Sequence, residues 1–202
     1  MSIRTGFPAV LLALAAAVAL GVGLGAGAES RQAADALSKK IAVITQKGNQ
    51  GSKGSPTSVT LTQDELNSWF VFRSTRYLPA GVSKPTVALI GQGSMRGTAT
   101  LDLEAVARKR SGNPFDPLSY LFGRVPVTVT GVLRTRNGMG RFDVQAADVA
   151  GIPVPKTVLQ ELLSYYASSP EQPDGIQLDE AFALPANIQR IDVAPGQMVV
   201  VQ

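Results

Sequence analysis

Residues 141–166 read RFDVQAADVAGIPVPKTVLQELLSYY: a strand, a Gly/Pro corner and an amphipathic helix in succession. Phe142, Val144 and Ala146 alternate with Asp143 and Gln145, the period of two that gives a strand one apolar face. Gly151, Pro153 and Pro155 break that strand, and Pro155 suits the first turn of a helix, where its missing N–H has no intrahelical partner. Beyond it Val158, Leu159, Leu162, Leu163 and Tyr166 share one stripe, with Lys156, Thr157, Gln160, Glu161 and Ser164 on the other. Burying five such side chains is worth on the order of 10 kcal/mol. That is comparable to the net stability of a whole domain, roughly 5–15 kcal/mol. The helix therefore requires a large apolar surface, and the flanking segments offer strands to make one.

Immediately upstream, Val125 to Thr135 is the clearest strand, with Val125, Val127, Val129, Gly131 and Leu133 facing one way. Asn137-Gly138 is a strong hairpin signal into 139–149, because both residues tolerate positive φ. Downstream, 168–175 is a polar loop, 176–183 begins a further strand, and Leu184-Pro185 breaks it. Strands 188–193 and 198–201 then form a last hairpin around Ala194-Pro195-Gly196-Gln197, where Pro followed by Gly fits a type II turn.

Earlier in the chain, 86–91 and 97–106 read as a hairpin through Gly91-Gln92-Gly93-Ser94. Asp102 and Glu104 share a face there. No third acidic group lies nearby in sequence, so solvated strand residues are a better reading than a carboxylate pair or calcium ligands. The glycines precede a strand rather than a helix, which excludes a phosphate loop. Ser58 to Leu61 is a short strand, and Thr62-Gln63-Asp64-Glu65 matches a capping box that opens a helix to about Phe72. Leu66, Trp69, Phe70 and Arg73 share a face of that helix, and its rings form either a core cluster or the lining of an apolar ligand groove. Residues 30–46 suggest a further helix, with Leu37, Ile41 and Ile44 on one side, that leads from the membrane or caps the sheet. KGNQGSKGSPT, 47–57, is a flexible linker.

With 45% hydrophobic and 17% charged residues, the 202-residue chain holds a globular domain plus extras. It contains no Cys and no His, which removes disulfides, thiol chemistry, the commonest general base and the commonest metal ligand. No cofactor or metal site is expected, no catalytic constellation shows in the spacing, and the protein is read as a non-enzyme. A net charge of +4 is too small to be a nucleic-acid signature.

Residues 1–28 stand apart from the fold. Arg4 precedes an uncharged run from Phe7 to Leu24, and Ala26-Gly27-Ala28 has the small-x-small form of a signal-peptidase site. The run is read as a cleaved signal peptide or a retained anchor, and in both cases the domain is exported to the periplasm or another extracytoplasmic space. The expected organisation is this signal or anchor, a helix and linker over 29–57, and a single domain over 58–202.

The segment 108–124, RKRSGNPFDPLSYLFGR, is unusual. It is either a long loop packed back on the sheet or a membrane-contacting loop. In the second case Arg108, Lys109 and Arg110 meet anionic headgroups while Phe115, Leu118, Tyr120, Leu121 and Phe122 enter lipid.

The strand FDVQAADVAGIPVP, the helix VLQELLSYY and the closing LDEAFALPANIQRIDVAPGQMVVVQ, with SVTLTQDELNSWF upstream, resemble a family pattern. The pattern is that of the LmeA-like and YpmS-like exported proteins of bacterial envelopes, and through them of tubular lipid-binding (TULIP, BPI-like) domains. The resemblance covers roughly 58–202, and the 108–124 loop departs from it. It implies a fold and a lipid-binding class but carries no site residue across.

The expected fold is α+β: a long, curved antiparallel sheet wrapped around the 155–167 helix as a TULIP-like half-tube, with the 62–72 helix nearby. Such a sheet leaves an apolar trough for the acyl chains of a phospholipid or similar amphiphile, lined by Leu66, Trp69, Phe70, Leu159, Leu163 and Tyr166. The competing class is an envelope adaptor that fills its own trough and binds a protein partner through a sheet edge.

Overall fold

The computed structural model describes residues 29–50, 56–75, 77–78, 81–104, 123–160, 177–178 and 180–202. In chain order these form α1 (Arg31–Gln50), β1 (Ser58–Thr62), α2 (Gln63–Arg73), β2 (Val82–Gly91), β3 (Ser94–Asp102), β4 (Arg124–Arg136) and β5 (Met139–Val149). They continue with β6 (Ile152–Pro153), β7 (Phe182–Ala183), β8 (Arg190–Ala194) and β9 (Gln197–Val201). A helical turn opens at 156–160.

The fold is α+β and antiparallel, but among the described residues the strands divide into two sheets rather than one. A six-stranded open sheet runs β2-β3-β4-β5-β6, with β7 also on β5, and a three-stranded sheet runs β1-β9-β8. Backbone bonds from Gly93 to Val193 (3.2 Å) and from Gly196 to Leu89 (2.9 Å) tie the β8–β9 turn region to the β2–β3 turn. The Thr135 hydroxyl both donates to the Ile191 carbonyl and accepts from its N–H, which pins β8 against β4.

The turns follow local chemistry. Asn137 and Gly138 take φ of 51° and 77°, and Gln92 and Gly93 take 55° and 79°. Positive φ at both central residues is the geometry that matches the twist of antiparallel strands. Gly196 has φ 71° after Pro195, as a type II turn requires. At the start of α2 both arms of the capping box are made: Glu65 N–H donates to Thr62 Oγ1 (3.2 Å) and Thr62 N–H donates to Glu65 Oε2 (2.9 Å).

One face of the large sheet carries the core. Val87, Leu89, Met95 and Leu133 meet Leu66, Trp69 and Phe70 of α2, Leu37 and Ile44 of α1, and Val193, Met198 and Val200 of the small sheet. Helix α1 is therefore a core element, with Leu37 and Ile44 completely buried. A second cluster on the same sheet joins Val129 to Leu159 and Leu178, with Phe142, Val144 and Ala147 packed around it.

The pairing corrects the alternation read from β5. Thr130 pairs with Ala146 but Gly131 pairs with Val144, so Gln145 is the extra residue of a bulge. The bulge reverses the parity beyond it: Ala147 and Val149 follow Phe142 and Val144 inward, and Ala146 is exposed. At the corner, Ala150 and Gly151 turn the chain, and Ile152-Pro153 pairs back on Val149 and Asp148. The Pro155 carbonyl accepts from Leu159 N–H at 3.1 Å, so Pro155 caps the following helix rather than occupying its first turn. Leu159 is buried, whereas Val158 is 43% exposed and lies off the apolar stripe. Leu162, Leu163 and Tyr166 fall outside the described residues. Of the strand expected over 176–183, Phe182 and Ala183 are the described residues that pair, with Gly140 and Met139; Ile176 and Asp179 lie outside the described residues.

Candidate functional site

The C-terminal turn of α2 and the first half of β2 enclose a cleft of about 590 Å³. Helix α2 stops at Ser74, whose buried hydroxyl bonds back to the Phe70 carbonyl four residues earlier, a local competitor to helix propagation. The Tyr77 N–H then donates to the Ser74 carbonyl at 2.7 Å. That turn lays the Tyr77 ring on Trp69, with centroids 5.7 Å apart and planes 17° apart. Phe70 stands edge-on to Trp69 at 5.9 Å. Trp69 thus forms the rigid back of the assembly, and Phe70 reaches the cleft.

The opposite wall comes from a bulge in β2. Ser83 pairs with Thr100 and Thr86 with Thr98, so Lys84 and Pro85 together face Ala99. An edge strand tolerates Pro at such a position because no ladder hydrogen bond is lost. Lys84 has φ 49°, the left-handed region that a residue with a Cβ seldom adopts. The bulge buries Pro85 and leaves Lys84 exposed.

Phe70, Val71, Leu78, Val82 and Pro85 supply the apolar lining, and Thr75, Ser83 and Thr86 its neutral polar groups. Val71 remains 45% exposed, so the apolar wall is accessible from solvent. Among the described lining residues Glu29 and Lys84 carry the only charges.

The structure brings together Leu66, Trp69 and Phe70, which are 2%, 6% and 6% exposed within the main core. Leu159 belongs to the other cluster, and Phe142 packs against both clusters. Leu163 and Tyr166 lie outside the described residues. So do all eight residues of the expected membrane-contacting loop: Arg108, Lys109, Arg110, Phe115, Leu118, Tyr120, Leu121 and Phe122. The described ends of that segment are held together, with the Leu103 N–H donating to the Gly123 carbonyl at 3.0 Å and Arg124 paired with Asp102 at 3.3 Å.

Sequence reasoning missed the residues that complete the cleft: Glu29, Val71, Leu78, Val82, Lys84 and Pro85. One signal was present, the proline in SKPTVALI, which marks an edge strand or a bulge. It was also silent on Lys40, which crosses from α1 to Glu65 at 2.6 Å and to the Thr60 carbonyl at 2.7 Å. That pair links α1 to the capping box, and so fixes the helix that carries Phe70 and Val71.

Among the described residues no group of three or more His, Cys, Asp or Glu side chains is placed to hold a metal ion, and no helix is long and apolar enough to cross a membrane. Comparison with protein-family models, with curated proteins and with solved structures returns no match.

Proposed function

We propose that the protein is an exported, non-enzymatic binder of an envelope amphiphile whose acyl chain occupies the cleft between α2 and β2. The observation that carries this reading is the convergence of Phe70, Val71, Leu78, Val82 and Pro85 on one open cleft of about 590 Å³. Sites for small apolar ligands typically span about 300–1,000 Å³. Each methylene buried there contributes about 0.8 kcal/mol without any specific donor, so a chain lacking His and Cys suffices.

The position of the cleft supports the same reading. Glu29 lines it and directly follows the segment 1–28 read as a signal or anchor. A retained anchor holds the cleft at the membrane surface, where its ligands are. The TULIP-like half-tube belongs to this proposal as its architectural counterpart, with phospholipid as the ligand class and the 108–124 loop as a further lipid contact.

The experiment is mass spectrometry of an organic extract of the purified protein, paired with binding of a fluorescent fatty acid. Val71→Asp and Val82→Asp place carboxylates on the apolar wall at positions that are not fully buried, and both are expected to abolish probe binding while the fold persists. A protein that yields no lipid and binds no probe overturns the reading.

The adaptor alternative has one observation in its favour. Strand β7 covers residues 139–140 of β5 and β6 covers 148–149, while among the described residues no strand pairs with the outer edge of 141–146. A partner strand added there is the outcome to expect if lipid is absent.

A further inference from the structure

Glu29 and Lys84 carry opposite charges on one cleft and are not bonded to each other. Among the described residues no ion pair or side-chain hydrogen bond engages either of them. Elsewhere on the protein neighbouring opposite charges do pair: Lys40 with Glu65, Arg134 and Arg141 with Asp143, Arg190 with Asp192. The bulge that presents Lys84 keeps a non-glycine residue at φ 49°, immediately before a proline that itself restricts its predecessor. Backbone held in a sparsely populated region is concentrated at ligand sites, and bulges re-aim side chains.

On these grounds we infer that Glu29 and Lys84 form a headgroup site for a zwitterionic amphiphile bearing a primary ammonium. The proposal rests on the acyl-binding reading above and specifies its ligand. The phosphate of the headgroup pairs with the Lys84 ammonium and the ligand's own ammonium with the Glu29 carboxylate, while the acyl chain runs along Val71 and Val82. A headgroup with phosphate as its sole charge satisfies Lys84 and leaves Glu29 facing a like charge. A quaternary ammonium offers Glu29 no N–H donor. The site therefore ranks an ethanolamine headgroup above glycerol and choline headgroups on the same chains.

The test uses the full-length protein in neutral detergent with a bound fluorescent fatty acid, displaced by phosphatidylethanolamine, phosphatidylglycerol or phosphatidylcholine of identical acyl composition. Solvent-exposed ion pairs contribute up to about 1 kcal/mol, so wild type is expected to favour phosphatidylethanolamine by about three- to fivefold. Glu29→Gln is expected to remove that preference by weakening phosphatidylethanolamine alone. Lys84→Gln is expected to weaken all three phospholipids, each displacement being read against the probe affinity of that variant. Both substitutions are at exposed positions, so folding is retained. Equal displacement by the three lipids, or a preference that survives Glu29→Gln, overturns the headgroup site while the acyl cleft stands. Failure of the fluorescent fatty acid to bind overturns the cleft and the headgroup site with it.

Discussion

Both ends of the Asn67 carboxamide are bonded to the backbone of Val87: the Val87 N–H donates to Oδ1 at 2.7 Å, and Nδ2 donates to the Val87 carbonyl at 3.0 Å. Two residues along the same edge, the Leu89 N–H donates to Gln63 Oε1 at 2.8 Å and the Leu89 carbonyl accepts from Gly196 N–H at 2.9 Å. Helix α2 thus occupies the outer edge of β2 with side-chain amides where another strand would bond. An edge finished in this way offers no free template for strand addition.

Asn67→Leu keeps the approximate size of the side chain and strips both bonds from Val87, leaving a partly buried N–H and C=O without partners. Each such group costs about 1–3 kcal/mol. The variant is expected to lose about 2–4 kcal/mol in urea denaturation, with early exchange of the Val87 amide. Unchanged stability would show that the edge is solvated instead.

Gly131 lies under the Phe142 ring, on the strand that pairs with it. A Cβ at Gly131 would stand 2.6 Å from Phe142 Cζ and 2.7 Å from the Asp143 carbonyl oxygen. Gly131→Ala is expected to cost about 1–3 kcal/mol through overpacking. Adding Phe142→Leu relieves the ring contact but not the backbone one, so the double variant should recover part of the loss in a thermal melt. Full recovery would assign the whole effect to the ring.

Leu159 and Val158 are adjacent in sequence yet 5% and 43% exposed. Leu159→Asp places a carboxylate among Val129 and Leu178 and is expected to cost at least about 3 kcal/mol. Val158→Asp is expected to change stability by less than about 1 kcal/mol. Equal effects in denaturant titrations would contradict the docking of this helical turn.

Asp143 accepts from Arg134 and Arg141, both at 2.7 Å. The Arg134 hydrogen bond is the largest influence; it and Arg141 outweigh the modest desolvation and hold the carboxyl below its ordinary range. A depressed folded-state pKa means the carboxylate stabilises the fold above its unfolded value of about 3.9. That contribution is lost as pH falls through the lower folded value. Asp143→Asn is therefore expected to flatten the acid limb of thermal stability below about pH 4, with little change at neutral pH because exposed pairs contribute under about 1 kcal/mol. An unchanged acid limb would assign acid sensitivity to other carboxylates.

Sequence by itself determined the features whose physics closes within a few residues. The turns at 137–138 and 195–196 follow from Asn-Gly and Pro-Gly, and the capping box from Thr62 and Glu65; all three adopt the expected geometry. The alternation in 125–133 likewise specified an apolar face, and Val129 and Leu133 are buried on it. Only the tertiary structure decided what those faces meet. Periodicity states that a face is apolar but not which partner covers it, so α1 read as leading from the membrane or capping the sheet, and only the tertiary structure shows its Leu37 and Ile44 entering the core; one expected sheet became two. A bulge adds a residue without altering composition, so Gln145 gave no sign that Ala147 rather than Ala146 turns inward. The cleft is the extreme case: Phe70 stood out in sequence as an aromatic lining candidate, but Glu29 and Lys84 are far apart in the chain and each is unremarkable among its neighbours. They are assembled by the stop of α2 at Ser74 and the bulge at Lys84, and long-range contacts of that kind leave no local pattern to read.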